Sequence, residues 1–256
     1  MDVDTVGELL RRWRQRRALS QLDLAIAAGV SARHVSLVET GKSRPSADMI
    51  LRLAEQLHVP LRDRNRLLLA GGFAPRYQRR PLGDAALSAA RDAVRRVLRA
   101  HEPYPALVFD RGWNIVETNR AVDPFLASVA PELRRPPVNL VRLALDPRGF
   151  APMIVNLGDV RAVFRTRVGR QLAAAADEEL TALYEELLAG DITGPRVDAD
   201  VVIPMVLRVD GRELRLFSTI TTFGTPLDIT LDEVAIESYY PADDRSAAYF
   251  RAGGSW

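Results

Sequence analysis

Residues 19–46 read LSQLDLAIAAGVSARHVSLVETGKSRPS, and this stretch decides the fold of the first part of the chain. Ser20 is placed to cap a helix carrying Leu22, Leu24, Ala25 and Ala28. Asp23 falls in the first turn of that helix, where its dipole favours an anion. Gly29 follows the last helical residue, at a position where a left-handed backbone is free of cost without a Cβ, and Ser31 is ready to cap the next helix. That second helix, residues 32–40, sets Val35 and Val38 on one buried stripe and turns Ala32, Arg33, Ser36 and Leu37 outward. Gly41 ends it, and Ser46 caps a third helix whose Met49, Ile50, Leu53, Ala54 and Leu57 close a small core. Two short helices about one tight turn spell a helix-turn-helix. Caps and apolar stripes alone also fit a helical bundle with no nucleic-acid role, so charge and the outward residues must decide.

Charge is segregated along the chain. Residues 1–80 carry 15 basic against 8 acidic side chains, a net +7, while residues 81–256 carry 20 against 25, a net −5; together they give the overall +2. A basic head fits a polyanionic partner, and the acidic remainder argues against the whole molecule coating DNA without preference. Within the head, RRWRQRR at residues 11–17 lies on a helix whose buried stripe is Val6, Leu9, Leu10 and Trp13. Most of these arginines are read as its solvated face, with one or two reaching phosphates.

The joint pattern from Val6 to Ala70 resembles the Xre-type, phage-repressor-like helix-turn-helix family. The resemblance implies that Gln21 contacts the DNA backbone and braces the recognition helix, and it places the polar recognition positions on Ser31, Arg33, His34 and Ser36. Ala32 faces outward among them. Arg33 is the first choice for base readout, because a guanidinium pairs with both acceptors of a guanine edge. His34 is either a DNA contact or a plain exposed residue. Lys42 and Arg44, just beyond the helix, suit phosphate contacts that fix register.

Gly71 and Gly72 end the last helix of this part, and APRYQRRPLG follows with no apolar period. The expected organisation is therefore a DNA-binding domain over 1–72, a linker over 73–83 and a second domain over 84–256. The second opens with a helix over 84–100. Residues 105–109 and 113–118 then alternate about Asp110, Arg111 and Gly112 as a hairpin. A helical middle over 122–129 and 152–190 follows, and three strands, 201–209, 212–223 and 231–240, close the chain. The order predicts an α+β domain: an antiparallel sheet covered on one face by helices, the layout of a PAS-like fold.

AHEPYPALVFDRGWNIVETN at residues 100–119 and TTFGTPLDITLDEVAIESYYPAD at residues 221–243 resemble the C-terminal domain of the MmyB-like transcriptional regulators. This resemblance implies an Xre-type DNA-binding domain joined to a PAS-related ligand-binding domain with fatty-acid-like ligands. If helices pack over the sheet, both layers bound a cavity, with Phe109, Trp113, Phe125, Leu126, Met153, Phe164, Leu216 and Ile220 as walls. Plain core packing is the better account of any one of them taken alone. Asn119 and Ser218 are candidate polar anchors, and Arg161 or Arg165 candidate partners for a carboxylate.

Other chemistry finds little support. There is no cysteine, which excludes disulfides and thiolate metal sites, and His34, His58 and His101 are the only histidines. No clustered metal site, histidine-based hydrolase or phosphate-cradling glycine loop is suggested, and the acidic run at Asp177, Glu178 and Glu179 reads as an exposed helix face. No apolar run is long enough to span a bilayer and no signal peptide is read, so a cytoplasmic protein is expected. The expectation is a transcriptional regulator without catalysis or cofactor, a homodimer on a near-palindromic operator, with a small apolar effector. The alternative is a constitutive DNA-binding regulator whose C-terminal domain serves dimerisation or binds another protein.

Overall fold

The computed structural model describes residues 4–174, 177–190 and 203–253. They form two compact units. One comprises the residues up to Asp84 together with Gly224–Asp232; the other comprises Ala85–Phe223 and the chain from Glu233 onward.

The first unit is built from five helices: α1 (Val6–Arg16), α2 (Gln21–Ala28), α3 (Ala32–Glu39), α4 (Ala47–Gln56) and α5 (Leu61–Ala70). Leu10, Trp13, Leu24, Val35, Ile50, Leu53, Leu57 and Leu67 are buried in its core. Thr5 and Glu8 form a capping box at the start of α1, which satisfies two otherwise orphaned amides. Gly7 is a packing requirement: a Cβ there would stand 2.3 Å from the Val38 carbonyl oxygen, so α1 crosses α3 only with a hydrogen at this position. The arginines of α1 are not all a solvated face. Arg14 is drawn inward to the Leu19 carbonyl and Glu39, and Arg17 donates to the carbonyls of Leu57 and His58 at 2.9 and 3.1 Å. Helix-end carbonyls lacking intrahelical partners attract guanidinium donors, which periodicity alone does not reveal. Further along, the Asn65 side chain accepts from the amides of Arg76 and Tyr77 and donates to the Tyr77 carbonyl.

In the second unit, α6 (Ser88–Ala100) precedes β1 (Ala106–Phe109) and β2 (Ile115–Thr118). Then come α7 (Asp123–Ala127), α8 (Leu140–Leu145), α9 (Leu157–Ala174) and α10 (Glu178–Leu187). The chain continues through β3 (Met205–Val209), β4 (Arg212–Thr222), β5 (Ala235–Pro241) and α12 (Asp244–Arg251); α11 (Ile229–Glu233), between β4 and β5, belongs to the first unit up to Asp232. The five strands form one antiparallel sheet in the order β2-β1-β5-β4-β3. This is the α+β, PAS-like arrangement expected, except that the helices are not confined to one face of the sheet. The predicted hairpin is present, with Leu107 opposite Thr118 and an irregularity between Val108 and Phe109.

Alternation splits the sheet into two faces. Leu107, Phe109, Leu214 and Leu216 pack with residues of α8, α9, α10 and α12. Ala106, Val108 and Ile236 pack with Val94 and Leu98 of α6, so that helix covers the other face. Three elements differ from expectation. Helix α8 has Leu140, Val141, Leu143, Ala144 and Leu145 all buried and only Arg142 partly exposed, so this short, nearly all-apolar helix shows no amphipathic period. Helix α12 follows the last strand because Asp243 caps it, accepting from the Ser246 amide at 2.7 Å, and Tyr249 and Phe250 enter the core. The last strand starts at Ala235, not residue 231, because Ile229–Glu233 is helical. The strand expected from residue 201 begins at Met205; residues 201 and 202 lie outside the described residues.

Candidate nucleic-acid interface and apolar cavity

Helix α3 is aimed by its neighbours. Ser20 accepts from the Asp23 amide at 3.0 Å while its own amide donates to the Asp23 carboxylate at 2.9 Å, fixing where α2 begins. Gly29 takes φ +64°, and Ser31 accepts from the His34 amide at 3.1 Å to start α3 two residues later. Val35, Val38 and Glu39 are buried, leaving Arg33 exposed and Ala32, His34, Ser36 and Leu37 partly so. Beyond the helix, the amides of Lys42 and Ser43 both donate to the Leu37 carbonyl, which folds Lys42 and Arg44 back beside it as exposed cations. The side chains of Arg33, His34, Lys42 and Arg44 form no hydrogen bond or ion pair among the described residues. An exposed cation-bearing helix next to a basic loop suits one groove and its flanking phosphates.

Gln21 braces this helix from α2, its amide nitrogen donating to Glu39 at 2.8 Å. Glu39 also takes both arms of Arg14, at 2.6 and 2.9 Å. Burial alone would raise the Glu39 carboxyl, but the hydrogen bonds from Arg14 and Gln21 outweigh it and hold the group below its ordinary value. Glu39 and Arg14, which hold α3 in place, were not singled out from the sequence. The available signal was Glu39 itself, one residue beyond Val38 and four beyond Val35 on the buried stripe.

The second unit contains a partly open cavity of about 70 Å³. Val122, Phe125, Leu140, Ala144, Phe150, Met153 and Phe164 wall it on the helical side; Pro105, Met205, Leu207, Leu216 and Tyr239 wall it on the sheet side. Tyr239 contributes the one hydroxyl among these side chains. Burial, and then the nearby Glu237 carboxylate, push that phenol well above its ordinary value despite Arg167, so it stays a neutral donor. Its walls are almost wholly apolar, the kind of lining that favours an apolar guest over a polar one.

The family described as the MmyB-like transcription regulator ligand binding domain matches residues 90–252, and a helix-turn-helix domain family matches residues 5–67. The chain belongs to the MmyB-like transcription regulators. No curated protein matches it. As a member of that family it is a DNA-binding transcription regulator with a ligand-binding domain, α2 and α3 lying in the first matched region and the whole cavity in the second. Among the described residues no helix is long and apolar enough to cross a membrane.

Of the wall residues expected in this MmyB-like regulator, Phe125, Met153, Phe164 and Leu216 line the cavity. Phe109 and Trp113 do not line it; their rings stack at 5.0 Å, and Arg167 lies 4.6 Å from the Trp113 ring centre. Arg167 in turn pairs with buried Glu237 at 3.0 and 3.2 Å, and Ser218 donates to the same carboxylate at 2.7 Å. Ser218 is therefore bound to Glu237 and is not a cavity anchor. Asn119 is fully engaged, accepting from the Ala106 amide and donating to the carbonyls of Leu98 and Tyr104. Ile220 is 48% exposed, beyond the part of β4 that faces the core. Leu126 also lies outside the walls, and Arg165 binds the Tyr184 hydroxyl and the Gly190 carbonyl. Among the walls that went unanticipated, Leu140, Ala144 and Phe150 sit in or beside α8, whose nearly all-apolar sequence shows no period, and Tyr239 sits in a strand whose inward face was not assigned.

Proposed function

We propose that the chain is a sequence-specific, Xre-type regulator that reads an operator through α3, with Arg33 contacting bases and Lys42 and Arg44 contacting phosphates. Gln21 supports α3 through Glu39, and Ala32, His34 and Ser36 complete the surface offered to the groove. The Ser31 hydroxyl is committed to capping, so its part is to set where α3 starts. One such helix reads only a short half-site, so the protein works as a homodimer on a near-palindromic operator in the cytoplasm. It performs no catalysis and uses no cofactor.

The effector is a small apolar, fatty-acid-like molecule, and the observation that carries this reading is the cavity walled by apolar side chains. At about 70 Å³ the space accepts a few carbons; Met153 and Met205 in its wall have the adaptable side chains that admit a longer chain. Native mass spectrometry of the purified protein, followed by extraction and identification of any released molecule, tests both parts. A dimer releasing an acyl lipid supports the reading. A protein that neither carries nor takes up a C8–C16 fatty acid series shifts it to a constitutive regulator whose second domain serves dimerisation or another protein.

A further inference from the structure

The connection between β4 and β5 has an unexpected location. The two strands part after the Thr222–Ala235 pair, and Gly224–Asp232 between them belongs to the compact unit that contains α1–α5. It is fastened there by several bonds. The Ile229 amide donates to the Gln78 carbonyl at 2.9 Å, beside a backbone bridge between Gln78 and Asp228. Arg80 pairs with Asp228 at 3.1 Å, and the Thr230 hydroxyl donates to the Arg80 carbonyl. Asp228 and Ile229 are both buried. Asp232 accepts from the Leu61 amide at 2.9 Å.

That last bond supplies something α5 lacks. Its N-cap residue is Pro60, which offers no side-chain acceptor, so the first amide of the helix would otherwise have no capping group. A carboxylate from 171 residues further along fills the place at the positive end of the helix dipole. The strands on either side of the segment each carry a cavity wall, Leu216 on β4 and Tyr239 on β5. A displacement of either strand end must be absorbed by these bonds or passed to α5, because the segment is covalently held at both ends.

We infer that Gly224–Asp232 is a positioning segment of the DNA-binding unit, fastened by Asp228 and Asp232, through which filling the cavity changes operator affinity. The transmission part rests on the proposed roles of the cavity and of α3; the fastening part does not. An effector shifts an equilibrium only if it binds one arrangement better, and the segment is the physical element that both sites bias.

The test uses the full chain and needs no identified ligand. Hydrogen exchange is measured in the parent, in Asp232→Ala and in the milder Thr230→Val. The Leu61 amide is expected to exchange about tenfold faster in Asp232→Ala while the Val35 and Val38 amides keep their rates. Unchanged Leu61 exchange overturns the fastening. Ala144→Phe, which fills the cavity with a side chain, is then combined with each variant and operator affinity is measured. Filling is expected to shift the dissociation constant about fivefold in the parent and not in Asp232→Ala, with an intermediate shift in Thr230→Val. An equal shift in all backgrounds, or none in the parent, overturns the transmission. Loss of operator preference in every protein, parent included, strikes the proposed DNA reading instead and leaves the exchange result standing.

Discussion

Arg14 on α1 holds Glu39 at the end of α3 with two parallel bonds, Nε to Oε1 at 2.6 Å and Nη2 to Oε2 at 2.9 Å. Both side chains are largely buried, 12% and 2% exposed, and Gln21 adds a third bond to the same carboxylate. Three helices are thereby joined through one acid. Removing one member of a buried pair strands the other without compensation, so Glu39→Ala is expected to destabilise the first unit by about 3–5 kcal/mol. Gln21→Ala leaves the pair intact and is expected to cost only about 1 kcal/mol. Urea unfolding of both variants decides the matter; equal losses would mean that the ion pair contributes no more than one neutral hydrogen bond.

The same carboxylate sets a pH dependence. Glu39 is held below its ordinary 4.5 in the folded chain, burial opposing and the Arg14 and Gln21 hydrogen bonds prevailing. A depressed folded value means that stability is fully present above the unfolded value and is lost as pH falls through the folded one. Urea midpoints followed from pH 7 to pH 3 are expected to drop from about 4.5 downward, and Glu39→Gln is expected to lower the neutral-pH midpoint while flattening that acid limb. An acid limb unchanged in Glu39→Gln assigns the loss to other carboxylates, Glu8 and Asp23 being depressed by their caps.

Arg33 tests the readout. It is exposed on α3 and has no intramolecular partner among the described residues, so Arg33→Ala leaves the fold alone and removes only what the guanidinium does outside the protein. Discrimination between the operator and a scrambled duplex is expected to fall by about 1–3 kcal/mol. Lys42→Ala and Arg44→Ala are expected to weaken both duplexes alike and to lower the salt slope by about one each. Anisotropy titrations at several salt concentrations separate the cases, and equal loss on both duplexes in Arg33→Ala assigns that residue to phosphate.

Local signals in the sequence were strong for the first unit and uneven for the second, for physical reasons. Ser20, Gly29, Ser31 and Ser46 act within three residues of themselves, so their caps and turn are legible without knowledge of the rest. The Arg14–Glu39 pair spans 25 positions, and the Asp232 cap on Leu61 spans 171, distances over which no period carries information. In the second unit the hairpin at Phe109 and Ile115 announced itself by alternation, whereas α8 was hidden because all of its residues but Arg142 are buried and six residues are too few to show a period. Four cavity walls were named from apolar pattern; Phe109 and Trp113 were named too, because a stripe that lines a cavity and one that stacks on Arg167 look alike in sequence.

Leu216 and Leu214 lie two residues apart on the same face of β4, both buried, yet only Leu216 lines the cavity. Leu216→Ala and Leu214→Ala are each expected to destabilise the second unit by about 2–5 kcal/mol. Only the first enlarges the existing space, so added dodecanoic acid is expected to raise the thermal midpoint of Leu216→Ala more than that of Leu214→Ala. Equal gains would place lipid binding elsewhere in the domain.

Arg167 and Glu237 make another internal ion pair, and it sits in an unusual bed. Glu237 is 2% exposed and holds Arg167 in two bonds, while the guanidinium lies 4.6 Å from the Trp113 ring and within 6 Å of the Phe109 and Phe164 rings. The face of an aromatic ring attracts a cation, so the site holds Arg167 even before Glu237 is counted. Glu237→Gln therefore leaves a cation that still has three rings beside it, whereas Arg167→Met leaves a buried carboxylate that keeps the Ser218 hydroxyl as a donor but loses its counter-charge. Loss of about 3–5 kcal/mol is expected for Arg167→Met, less for Glu237→Gln, and the double variant Arg167→Met with Glu237→Gln is expected to recover most of the larger loss. Chemical unfolding of the three proteins reads this order, and a double variant as weak as the sum of the singles would show that the two groups act independently.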